Sequence, residues 1–218
     1  MDGVILGMPP ADPTERANHC RAAETYMWRK AGESAAPDLS GGSKYGRQIP
    51  LNRAVGLWGG IPGGGFAEVF FHNTKKVNTK EWVCALQAGA LTTAIKSLSP
   101  VKPHGPWHVL CDNESFLTAK DASREYLRSN VILWQIPARS PDLNPVEKFW
   151  GWLRKQLQRR DLADMVSRRP VLGKHAYRAR IRAVCRSARA RRVAKNLAGG
   201  LKKVCREVLD KKGAATRG

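Results

Sequence analysis

Two carboxylates stand where carboxylates can do chemistry. Asp112 directly follows Trp107-His108-Val109-Leu110-Cys111, a short, continuously apolar run that reads as a buried strand. In open α/β sheets functional groups collect at the carboxyl ends of strands, and an acid placed there can hold a metal ion. The plainer reading is that Asp112-Asn113 only turns the chain. Glu147 lies within Ser140-Pro141-Asp142-Leu143-Asn144-Pro145-Val146-Glu147-Lys148-Phe149-Trp150. Asn144 suits a helix N-cap, Pro145 the first helical position, and Glu147 then falls at N3. Glu147 therefore also fits the carboxylate of a capping box. Val146, Phe149, Trp150, Leu153 and Leu157 form the apolar stripe of that helix, and Glu147 sits off its centre, towards the sheet edge. Each acid has a structural explanation beside the chemical one.

The elements that would position these acids follow a readable order. Residues 3–8 are a short apolar run ended by Pro9, Pro10 and Pro13. Residues 14–25 are polar and suit one or two helical turns, and Tyr26-Met27-Trp28 is a short candidate strand. Residues 31–50 read as a loop. Runs 53–59 and 66–72 flank Ile61-Pro62-Gly63-Gly64-Gly65, the pattern of an antiparallel pair joined by a glycine-rich turn. Residues 79–98 carry apolar side chains at helical spacing, with Thr79 as candidate N-cap. Pro103 to Pro106 is a turn before the strand 107–111. A helix over 119–129, a strand over 131–136, a loop from Pro137 to Asn144 and the helix from Pro145 complete the body. Strand, helix, strand, helix at this spacing implies parallel pairing with right-handed crossovers. The predicted class is α/β with the order of an RNase H-like fold: three antiparallel strands, then two parallel ones, with helices on both faces.

Charge divides the chain. The whole carries 38 Lys and Arg against 18 Asp and Glu, a net of +20 over 218 residues. Residues 151–218 hold 21 of the bases and only 4 acids, a net of +17, whereas residues 1–150 are nearly neutral at +3. We therefore divide the chain into a body, 1–160, and a basic, mostly helical C-terminal tail, 161–218. Arg178, Arg180, Arg182, Arg189, Arg191, Arg192, Lys202 and Lys203 are its candidates for binding the phosphate backbone of nucleic acid, with affinity that falls steeply with salt. A solvated tail or a nuclear-localisation signal is the alternative. Val193, Leu197, Leu201, Val204 and Val208 recur at spacings of three and four, so an amphipathic helix is expected, weakened or broken at Gly199-Gly200. No apolar stretch is long enough to span a membrane, and no secretory signal opens the chain. Five cysteines without a C-x-x-C pair read as reduced thiols inside a cell.

The segment Ser140 to Trp150 resembles the S-P-D-L-N-P-x-E-x-x-W signature of mariner-like transposases, the Tc/mariner superfamily. Cys111-Asp112-Asn113 resembles the hydrophobic-D-N motif that precedes it there, and the 34 residues between Asp112 and Glu147 match a spacing that family uses. Tyr26-Met27-Trp28-Arg29-Lys30 with Gly32-Glu33, Leu57-Trp58-Gly59 and Val77-Asn78-Thr79 are similar to further family stretches in the same order. The resemblance covers roughly residues 26–157.

It implies a DDE endonuclease domain that cleaves DNA phosphodiester bonds and transfers strands. Three carboxylates would hold two divalent cations, Mg²⁺ or Mn²⁺, which as hard ions prefer oxygen ligands. Asp112 and Glu147 match the second and third members. The first is Asp2, at the head of the first apolar run, in preference to Asp12, which stands among prolines in a poor strand environment. Ser140, Pro141, Asp142, Asn144 and Pro145 would shape the signature loop. DNA is the implied partner, with a homodimer in the DNA complex, in the nucleus of a eukaryote or otherwise the cytoplasm. Only one residue precedes Asp2, and the helix-turn-helix units that precede this domain in the family are absent, so an N-terminally truncated copy is expected. The alternative function is a catalytically dead or domesticated derivative that only binds nucleic acid.

Overall fold

We describe residues 1–21, 49–74, 76–98, 104–137, 140 and 143–211 of a computed structural model. The strand expected at Tyr26-Met27-Trp28, most of the loop 31–50, and Pro141 and Asp142 lie outside the described residues.

The first sheet has the order β1-β2-β3, with β1 Asp2–Gly7, β2 Ala54–Gly60 and β3 Ala67–His72, all antiparallel. Asp2 faces Gly59 and Gly7 faces Ala54 across the β1–β2 ladder. The glycine-rich stretch between β2 and β3 makes the predicted tight turn, closed by Gly65 N donating to the Pro62 carbonyl at 3.0 Å. Gly65 has φ +147, a backbone conformation that a side chain would strain. The second sheet is β4, Trp107–Cys111, paired in parallel with β5, Val131–Gln135. The sheets meet where Met1 N donates to the Leu110 carbonyl at 2.5 Å.

Helices cover both faces. On one side stand α2 (Thr79–Gln87), α3 (Ala90–Leu98) and α4 (Lys120–Arg128). Trp58, Trp82, Leu86, Leu91, Cys111, Leu117, Ala122, Tyr126 and Val131 interlock there. On the other side, α5 (Pro145–Val166), α6 (Lys174–Cys185) and α7 (Ala188–Asp210) bury Val4, Leu6, Val55 and Leu57 beneath Phe149, Trp150, Leu153, Tyr177, Ile181 and Ala194. A short α1, Pro13–Arg21, lies against α5. This is the RNase H-like order expected from the apolar runs. Among the described residues no helix is long and apolar enough to cross a membrane. Cys84, Cys111, Cys185 and Cys205 are free thiols.

Four local expectations are corrected. The single helix over 79–98 is two, because Gly89 takes φ +74 and ends the first as glycine does best. Its cap is Asn78 rather than Thr79: Asn78 Oδ1 accepts from Glu81 N at 2.8 Å, and Glu81 reaches back to Asn78 N at 3.2 Å. No break falls at residue 160, since α5 runs through it and Tyr177, Ile181 and Ala194 of the basic third belong to the main core. Finally, α7 passes unbroken through Gly199-Gly200. Two central glycines cost about 1 kcal/mol each against alanine, so the helix is held by the packing of Val193, Ala194 and Leu197 on the core. An added Cβ meets nothing within 4 Å at either glycine. Gly199→Ala and Gly200→Ala are each expected to stabilise the protein by about 0.5–1 kcal/mol, measured by chemical denaturation; a loss of stability would show that the helix needs these glycines.

Candidate active site

Asp2, Asp112 and Glu147 come from three elements and stand near enough for their charges to act on one another. Asp2 is the first residue of β1, Asp112 directly follows β4, and Glu147 is in the first turn of α5. All three are half-buried. β1 and β4 are neighbours through the Met1–Leu110 hydrogen bond, so strand order sets two of the acids side by side. The third arrives because α5 packs against β1, with Val146, Phe149 and Trp150 sunk in the core beneath Val4 and Leu6. Asp12, the alternative first acid, stands beyond the far end of β1, where its Oδ1 accepts from Glu15 N at 2.8 Å. It caps α1, the ordinary work of an aspartate before a helix.

The capping explanation for Glu147 fails on geometry. Asn144 occupies the N-cap position, yet its side chain makes no capping bond, so there is no capping box. The backbone alone starts the helix, with Glu147 N donating to the Asn144 carbonyl at 3.1 Å. Asp112 does make a local bond, accepting from Asn113 N at 2.7 Å, which leaves its second oxygen for other partners.

The acids feel one another. Burial pushes the Asp2 carboxyl above its ordinary range; the Gly3 amide opposes this and the charge of Asp112 adds to it. Glu147 is also pushed up, first by burial, then by Asp2 and by Asp112, against the pull of the Asn144 side chain and Arg154. Carboxylates that repel one another supply the hard oxygen donors a divalent cation needs, and a cation would remove the repulsion. Among the described residues, no group of three His, Cys, Asp or Glu side chains is already gathered into a coordination shell.

A consequence for stability follows. A carboxyl whose folded pKa is raised favours the folded state at low pH. That contribution is lost as pH rises from the ordinary carboxyl range through the raised values. Without cations at neutral pH the protein carries this cost. Asp112→Asn removes one charge that adds to the effect of burial on both neighbours, so its cation-free Tm at pH 7 is expected to rise slightly. The gain should shrink towards pH 4. A Tm that stays level or drops, read by calorimetry in chelator, would show that the three charges are not coupled.

The basic third is divided in use. Arg180 donates to Asp161 at 2.7 Å and pairs with Asp164, both buried on α5. Arg182 grips Glu68 of β3 with Nε and a terminal nitrogen, at 2.7 Å for the shortest bond, and lies over Phe71 at 4.8 Å. Arg178 stands over the same ring at 5.3 Å and donates to Asn73 Oδ1 at 2.8 Å. These three predicted backbone-binding arginines therefore clamp α6 to α5 and β3. The charges of Arg180 and Arg182 are answered by acids inside the protein, a fact no charge count reveals. Arg191 is exposed, though its stem passes the turn at Gly65, whose added Cβ would come within 3.4 Å of Arg191 Cγ. Arg189, Arg192, Lys202 and Lys203 are exposed on α7. With Lys195 and Arg206, which the charge runs alone do not single out, they fall at helical spacing on one polar face. That face lies opposite Ala198 and Leu201, which share a cavity of about 380 Å³ with Leu110, Asn144 and Pro145. The middle of α7 thus borders the start of α5.

Comparison with known proteins follows the same lines. A family described as DDE superfamily endonuclease matches residues 17–167. Asp112 and Glu147 fall inside the match and Asp2 upstream of it. The fold is similar to the Mos1 mariner transposase catalytic domain, at 14% identity and TM-score 0.55, covering 92% of this chain and 94% of that one. It is also similar to that domain solved with raltegravir and Mn, at 15% identity and TM-score 0.54, covering 80% of this chain and 90% of that one. A Mos1 paired-end complex with left transposon end matches at 12% identity and TM-score 0.61, covering 99% of this chain but 56% of that one. The chain therefore spans little more than half of the transposase in that DNA complex. No curated protein sequence matches it.

Proposed function

This chain belongs to the DDE superfamily endonucleases, and we propose that it is the catalytic domain of a mariner-like transposase, cutting DNA phosphodiester bonds and joining the ends to new sites. The observation that carries the proposal is that Asp2, Asp112 and Glu147, from three separate elements and each half-buried, act on one another's charge. Half-buried acids that repel are costly, and such groups persist where chemistry uses them.

In this proposal Asp2, Asp112 and Glu147 hold two Mg²⁺ or Mn²⁺ ions. When bound, the ions would supply a deprotonated water or 3′-hydroxyl as nucleophile and shield the leaving oxygen. The chain's own part is positional. β1 and β4 fix Asp2 and Asp112 through backbone, and α5 fixes Glu147 by its buried stripe. Asn144 and Pro145 of the signature set the start of that helix. Phosphates of the DNA would lie along Arg189, Arg192, Lys195, Lys202, Lys203 and Arg206 of α7. The Mos1 paired-end complex with left transposon end supports DNA as the partner, and the proposal includes two copies of the chain on that DNA, in the nucleus of a eukaryote or the cytoplasm of a prokaryote.

Nicking of supercoiled plasmid by the purified chain tests this. Nicking that needs Mg²⁺ or Mn²⁺ and stops in chelator is the expected result. Salt-sensitive DNA binding with no nicking under any cation would overturn it in favour of a protein that only binds nucleic acid. In the same preparation, replacing Arg192, Lys202 and Arg206 by Gln should flatten the dependence of log affinity on log salt by about 0.9 for each phosphate no longer neutralised. An unchanged slope would move the DNA-binding face off α7.

A further inference from the structure

Trp150 ends the Ser140–Trp150 signature, one helical turn after Glu147, and the chemistry above gives it no task. It is 2% exposed. Its ring meets Phe66 edge-on at 5.4 Å and Phe149 at 5.8 Å. A buried indole normally finds an acceptor for its N–H, and here the acceptor is remote in sequence. Trp150 Nε1 donates to Asp2 Oδ2 at 3.3 Å, across 148 positions of chain. The other oxygen of Asp2 accepts from Gly3 N at 2.7 Å. Both oxygens of this carboxylate are therefore held, one by its own strand and one by α5. The indole is a donor only and carries no charge, so it can aim a carboxylate without competing for a cation. Each oxygen keeps a lone pair.

From this geometry we propose that Trp150 is the positioning residue for Asp2, coupling the carboxylate on β1 to the helix that carries Glu147. Any shift of α5 relative to β1 then moves Glu147 and the donor on Asp2 together, so that two of the three acids keep their mutual geometry. The inference rests on the reading of Asp2 as a metal-holding group. A hydrogen-bond partner of a metal ligand is typically worth about 10–100-fold in metal affinity, and that is the size of effect expected here.

The test is Mn²⁺ titration of the whole chain without DNA, with free Mn²⁺ followed by electron paramagnetic resonance. Trp150→Phe keeps an aromatic ring in the core and removes the N–H. It should weaken Mn²⁺ binding by about 10–100-fold. In an Asp2→Asn background the same substitution should add nothing, because the indole acts through Asp2. Phe66→Leu disturbs the ring packing around Trp150 and leaves the N–H in place, so it should lower Tm without changing Mn²⁺ affinity. Trp150→Phe binding Mn²⁺ within twofold of the parent, while Asp2→Asn does not, would overturn the inference and leave the proposed function standing. Equal losses from Phe66→Leu and Trp150→Phe would overturn it too, since packing would then set the site. If Asp2→Asn binds as the parent does, the reading of Asp2 itself fails and the inference with it.

Discussion

Asp112→Asn is expected to lower cation-dependent nicking of DNA by about a thousandfold while DNA binding persists. The side chain keeps its shape and its bond from Asn113 N, at 2.7 Å in the parent, because an amide oxygen accepts as a carboxylate does. What is lost is one negative charge among three. A bound cation contributes several kcal/mol of charge stabilisation in the transition state. Losing about 4 kcal/mol of that costs about a thousandfold in rate. Glu147→Gln should behave alike, since Glu147 makes no capping box whose loss could confuse the result. DNA affinity should hold, because the exposed basic face of α7 is untouched. Rates measured on nicked plasmid, beside affinities from a salt titration, separate the two. Equal loss of binding and nicking would place Asp112 in the DNA-binding face or in the fold, and not in the chemistry.

Arg180→Ala is expected to be the most damaging single change to stability among the basic residues, costing about 3–5 kcal/mol. The reason is burial. Asp161 is 1% exposed and Asp164 7%, and Arg180 answers both. Tyr177 also donates to Asp161, at 3.1 Å, but a hydroxyl cannot neutralise a buried charge. Removing the guanidinium leaves Asp161 in the core with only Tyr177 and His19, 3.6 Å away, and leaves Asp164 with only the exposed Arg169 at 3.5 Å, and that loss exceeds what the pair contributes against an apolar replacement. The Tm should fall by about 10 °C. Adding Asp161→Asn to Arg180→Ala should recover part of the loss, because one stranded charge is gone. Arg192→Ala, on the exposed face of α7, should move Tm by little. A small, equal effect at both positions would contradict the internal role of Arg180.

What the chain reveals unfolded depends on the range of the interaction. Strands β2, β3, β4 and β5 are legible as apolar runs between glycine and proline punctuation, and β4 ends where Asp112 begins. The two later acids are legible for the same reason, as a strand end and a helix start are local features. Other features need the third dimension. The break at Gly89 depends on a backbone sign that the helical spacing of its neighbours hides. The unbroken α7 depends on a core that outweighs two glycines. Charge density singles out the basic third correctly, yet it cannot tell Arg180, turned onto Asp161, from Arg192, turned to solvent. The choice between Asp2 and Asp12 depends on strand order, which sets Asp2 beside β4 and Asp12 at a helix cap. The hydrogen bond from Trp150 to Asp2 joins the two ends of the body and has no local signal.

The central claim is that Asp2, Asp112 and Glu147 form one site for divalent cations. An anomalous difference map from crystals soaked in Mn²⁺ tests it most directly. Two peaks about 4 Å apart, lying among these three carboxylates and lost in Asp112→Asn crystals, are predicted. Mn²⁺ peaks elsewhere on the protein, with none between Asp2, Asp112 and Glu147, would contradict it.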